Sequence, residues 1–110
     1  FAAYVAAFAR HFAGRVSHLV IWNEPNISLE WGYRPVDAAA YAELLRTVYG
    51  PAHAANPDVV VMAGALAPTL EPEGSAAGLS DLIYLSRMYE ADAITQASPG
   101  ASLFVHPQYC

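Results

Sequence analysis

Basic residues are scarce in this 110-residue chain: five Lys and Arg stand against ten Asp and Glu, for a formal net charge of −5. Nucleic acid and anionic membrane are held by clustered cations, and so few argue against both as partners. Cysteine occurs once, at Cys110, which excludes an internal disulfide framework. Long apolar runs are missing as well, since LVIW and VVVMAGAL are strand-sized and too short for a membrane segment. No secretory leader is expected, because Phe1 opens an amphipathic pattern without a basic n-region. No His, Cys, Asp or Glu pair has recognisable metal-ligand spacing, so no metal is predicted. AGALAP lacks the later glycines of a phosphate loop and opens no helix, and no cofactor is predicted either. There is no initiator Met, no N-cap precedes Phe1, and the chain stops directly after a strand-like run. From this pattern the chain is expected to be one piece of a longer protein.

What is abundant is apolar surface. Hydrophobic residues make up 55% of the chain, enough for one small domain with a packed core and against wholesale disorder. Phe1, Tyr4, Val5, Phe8 and Phe12 recur at helical spacing and predict a helix over 1–13 with Gly14 as its stop. HLVIWN predicts a strand over 18–24, apolar on both faces as in a parallel sheet covered by helices. After the polar loop NISLEWGYRP, a second helix begins near Pro35 or Asp37, with Tyr41, Leu44, Leu45, Val48, Ala52 and Ala55 on one face. Gly50-Pro51 is expected to kink or divide it, and ANPD to end it with Asn56 in a left-handed cap. A strand over 59–66, a long loop over 67–79, and a helix over 81–93 capped by Ser80 follow. That helix is expected to bury Leu82, Leu85, Met88 and Tyr89. A last strand over 101–106 leads into HPQY.

Helices alternating with strands predict an α/β fold with a parallel sheet and right-handed crossovers. Two closures fit the residues, an open doubly wound sheet or part of a (β/α)8 barrel. In both, functional groups gather at the carboxyl ends of the strands. Glu24 and His106 stand at two of those ends. An apolar surround formed by Ile21 and Trp22 disfavours an ionised Glu24, which suits a general acid. Pro25 biases Glu24 toward extended backbone. Asn23 offers a donor and an acceptor to a polyhydroxylated substrate, and Trp31 and Tyr33 offer flat faces for sugar rings. NEPN is also good turn chemistry. However, Asn-Glu-Pro arises by chance roughly once in 10⁴ positions, and its placement at the end of an apolar strand favours function.

WNEPN after an apolar strand resembles the acid/base motif of clan A retaining glycoside hydrolases. The run AYAELLRTVYGPAHAANPDVVVMAGALAP is similar to bacterial cellulase-like and β-xylosidase-like members. The resemblance implies a partial (β/α)8 TIM barrel, spanning about strands four to six with their helices, within a single catalytic domain over 1–110. It implies a carbohydrate substrate of the β-glycoside or plant-polysaccharide type. Glu24 would be the proton donor and later the general base, and Asn23 would bind the hydroxyl next to the anomeric carbon. VHPQY resembles the family's sixth-strand end, so His106 and Tyr109 would line the site, although Gln108 is an extra residue in that pattern.

A retaining mechanism needs a second carboxylate roughly 5 Å from the first. The resemblance places that nucleophile beyond Cys110, so the 110 residues alone are expected to be inactive. Glu30, Glu43, Glu71, Glu73, Asp81, Glu90 and Asp92 fit loops or solvated helix faces better. His11, His18 and His53 read as surface or structural residues. A barrel that binds carbohydrate without cleaving it, and a self-contained open α/β domain, are the competing readings.

Overall fold

The computed structural model describes residues 1–95, without the side chains of 92–95. Three helices and two strands follow in the order α1 (Ala2–His11), β1 (His18–Ile21), α2 (Ala38–Ala55), β2 (Val60–Ala63) and α3 (Asp81–Thr95). β1 and β2 pair in parallel, His18 opposite Val60 and Ile21 opposite Ala63. This is one βαβ unit with α2 as its crossover, and α2 packs against α1, α3 and β2.

The expectation of a partial (β/α)8 barrel is not met. Three helices and a two-stranded sheet of four-residue strands are too small and sparse to form a recognisable arc of one. Apolar strands alternating with amphipathic helices specify a parallel pairing but carry no signal for closure. Among the described residues the sheet is covered on one side. Ile21, Val61 and Ala63 are buried, whereas His18, Val20 and Val60 on the other face are exposed. The predicted strand over 101–106 lies outside the described residues, as do His106 and Tyr109.

The elements form where periodicity places them, with local corrections. In α1 the buried positions are Val5 and Ala9, four apart, which face α2. Phe1 and Tyr4 lie exposed beside them. Gly14 takes the left-handed conformation (φ +83°) expected just past a helix end. α2 starts at Asp37, whose carboxylate accepts the Ala40 N–H at 3.0 Å. The helix continues unbroken through Gly50-Pro51, because buried Val48 and Ala52 anchor it on both sides of an exposed proline. It ends at Asn56 in extended backbone (φ −144°), not in a left-handed cap. The Asn56 side chain instead accepts the Asp58 N–H at 3.1 Å in an Asx-type turn. In α3 the core residues are Tyr84 and Met88, while Leu82 and Tyr89 are exposed. The core gathers Val5, Ile21, Trp31, Tyr41, Leu45, Val48, Val61, Tyr84 and Met88 around α2.

Candidate functional site

Two loops leave the carboxyl ends of the strands, 22–37 after β1 and 64–80 after β2. A phenol joins them at their roots. Tyr41 Oη donates to the Ile21 carbonyl at 2.6 Å and accepts from the Gly64 N–H at 2.7 Å. The hydroxyl thereby satisfies one backbone group from each strand end inside the core. Burial pushes the Tyr41 phenol up to about 12 from 10.0, although the Gly64 N–H pulls the other way. The Tyr84 phenol is also raised, mainly by burial and then by Tyr41 and Asp37.

Further out, Asn26 is completely buried and binds the loops through its amide. Its Nδ2 donates to the carbonyls of Ala67 (2.8 Å) and Leu79 (3.1 Å), and its Oδ1 accepts the Ala67 N–H at 2.8 Å. Backbone pairing extends the seam, with Glu24 N–H on Ala65 O at 2.9 Å, Ser28 N–H on Ala77 O at 2.9 Å, and an Ile27–Gly78 antiparallel bridge. Two glycines permit this approach. A Cβ on Gly64 would stand 2.5 Å from the Trp22 carbonyl oxygen, and one on Gly78 would stand 2.5 Å from that of Asn26.

Glu24 sits on this seam. The strand stops at Ile21, three residues earlier than expected, because Trp22 turns into the left-handed region (φ +70°). Glu24 is left-handed too (φ +42°), so the extended geometry expected from Pro25 is absent at its φ. Pairing of its N–H to Ala65 and of its C=O to the Ile27 N–H (3.1 Å) holds this turn against the preference set by proline. Its side chain is half-buried, so water reaches a carboxyl that the sequence places over a closed apolar floor. Among the described residues no hydrogen bond or ion pair engages that carboxylate. Other acids differ: Glu43 pairs with Arg46, Glu73 with Arg87, and Glu71 accepts from the Ser75 hydroxyl.

Asn23 is exposed beside Glu24, in reach of a ligand from solvent. Trp31 is not. Only 9% of it is exposed, and its ring packs edge-on against Trp22 and Tyr41, so it belongs to the core and presents no face to a sugar. Tyr33 is highly exposed in the left-handed region (φ +58°). His11 is exposed on α1, His18 Nδ1 lies 2.7 Å from the Ser17 hydroxyl at the opposite end of β1 from Glu24, and His53 contacts the Tyr49 carbonyl. Among the described residues no group of three or more His, Cys, Asp or Glu is placed to hold a metal. No helix there is long and apolar enough to cross a membrane.

Tyr41 and Asn26 organise the site, and sequence reading assigned neither that role. Tyr41 reads as one more apolar helix position, and the second Asn of NEPN as turn chemistry. A hydroxyl on an otherwise apolar helix face, four residues after an N-cap, is the signal that was present.

Comparison of the chain with protein-family models, with curated proteins and with solved structures finds no match. No match therefore adds to the resemblance read from WNEPN, which rests on the sequence alone.

Proposed function

We propose that Glu24 is the acid/base carboxyl of a retaining glycoside hydrolase acting on β-glycosides. The observation that carries this reading is the left-handed backbone at both Trp22 and Glu24, at the carboxyl end of β1. Such a conformation costs an ordinary residue about 1–2 kcal/mol and persists where surrounding contacts over-determine it, which is typical of functional sites. The Ala65 and Ile27 backbone partners supply that constraint. The carboxylate itself is committed to no side-chain partner among the described residues.

In this reading Glu24 protonates the glycosidic oxygen as the bond to the anomeric carbon breaks. It then takes a proton from the water that releases the sugar from a glycosyl-enzyme intermediate. Asn23 binds the neighbouring sugar hydroxyl. The nucleophilic carboxylate comes from outside the described residues. Glu43, Glu71 and Glu73 are already engaged by side chains within them.

The test is Glu24→Ala in the complete protein, assayed on aryl β-glycosides with good and poor leaving groups, with and without azide. Loss of turnover on the poor leaving group, a surviving first step on the good one, and a glycosyl azide product support the acid/base role. Equal cleavage of both by wild type and variant refutes it. Carbohydrate binding without any hydrolysis by the wild type points to a binding protein instead.

A further inference from the structure

The loop that encloses Trp31 leaves its neighbour Trp22 at the surface. Trp22 is 44% exposed although its indole N–H is bound to the Glu30 carbonyl at 2.9 Å. Its ring also meets Trp31 edge-on, with centroids 6.0 Å apart and planes at 77°, and Phe1 at 6.0 Å and 83°. The indole is thus held at three points, yet much of its apolar surface remains in water. Its backbone is left-handed (φ +70°), which a bulky side chain rarely adopts. A turn that served the chain alone would put Gly or Asn at this position, as Gly32 (φ +73°) does ten residues on.

We propose that Trp22 is the stacking platform for a pyranose ring bound beside Glu24, an assignment that rests on the glycosidase reading above. The C–H face of a pyranose is apolar and its hydroxyls project at the rim. An indole meets the first, and exposed Asn23 with half-buried Glu24, next in the chain, meets the second. Because the ring is already anchored to Glu30 and packed on Trp31, stacking immobilises little that is free beforehand. The ligand class is a pyranoside with an unobstructed C–H face, and β-glucosyl and β-xylosyl probes present one.

Binding and cleavage are measured separately in the complete protein. The binding probes are thio-linked β-glucosyl and β-xylosyl oligomers, which are not cleaved, and the aryl β-glycosides above report cleavage. Trp22→Gly deletes the platform while suiting the left-handed backbone, and Trp22→Tyr retains a smaller one. The expected result is weaker binding by on the order of tenfold for Trp22→Gly, with most of it regained in Trp22→Tyr. In the unaltered protein the bound oligomer should shield an exposed indole from acrylamide quenching, and saturation transfer should pass between sugar C–H protons and the Trp22 ring. Wild-type affinity in Trp22→Gly, or no transfer at that ring under saturating oligomer, overturns the platform. If Glu24→Ala still abolishes hydrolysis in that case, the glycosidase reading survives alone. If the wild type neither binds nor cleaves any probe, both readings fall.

Discussion

Replacing Tyr41 by Phe removes one oxygen and should loosen both strand ends together. The hydroxyl donates to Ile21 O at 2.6 Å and accepts from Gly64 N–H at 2.7 Å, inside a residue with no exposed surface. A net hydrogen bond contributes about 1 kcal/mol, and a buried group left unpaired costs about 1–3 kcal/mol. The Gly64 N–H keeps a weaker contact to Ile21 O at 3.2 Å, which offsets part of the loss. The expected destabilisation at pH 7 is therefore about 2 kcal/mol by urea titration. Alkaline pH supplies an internal control. The folded phenol titrates near 12 and the unfolded one near 10.0, so above pH 10 the unfolded chain binds fewer protons than the folded one. Stability from this group is complete below pH 10 and declines by about 1.4 kcal/mol per pH unit until pH 12. The Tyr41→Phe variant has no such proton to lose, while Tyr84 contributes a downward trend to both proteins, larger in the wild type, where Tyr41 adds to its upward shift. The gap between wild type and Tyr41→Phe should accordingly narrow between about pH 10 and 11.5. Equal stability at pH 7, or a gap that stays constant across the alkaline range, would refute the bridging role of the hydroxyl.

Other perturbations test the seam and the site. Asn26→Ala forfeits three buried hydrogen bonds and should cost about 3 kcal/mol; hydrogen exchange should show early opening of the Ala67 and Leu79 amides. Gly64→Ala forces a Cβ against the Trp22 carbonyl oxygen, and thermal denaturation should register a loss of at least about 2 kcal/mol. Glu24→Gly relieves left-handed strain, so melting should report a gain of about 1 kcal/mol while glycoside cleavage collapses. A variant that is less stable and equally active would contradict both halves of that expectation. Asp37→Ala removes the N-cap of α2 and should cost about 1 kcal/mol with no change in glycoside affinity.

Helical spacing determined where the three helices lie, and continuous apolar runs determined two strands and their parallel sense. These are local properties: a periodicity and a turn residue act within a few residues of themselves, as Asp37 does at the start of α2. That Glu24 stands near the carboxyl end of a strand was legible for the same reason, since NEP can only follow the apolar run where it stands in the chain. Whether the sheet closes was not legible, because a βα alternation is shared by every closure. The tertiary structure decided which aromatic is buried. Sequence alone offers Trp31 as a sugar face and puts Trp22 in the apolar surround of Glu24, whereas packing against Tyr41 draws Trp31 inward and leaves Trp22 outside. It also decided the backbone at Glu24. Pro25 alone favours extension, whereas the backbone of Ala65, 41 residues away, and the Asn26 clasp on Ala67 and Leu79 hold a left-handed turn. Those partners are remote in sequence, and only the folded chain brings them together.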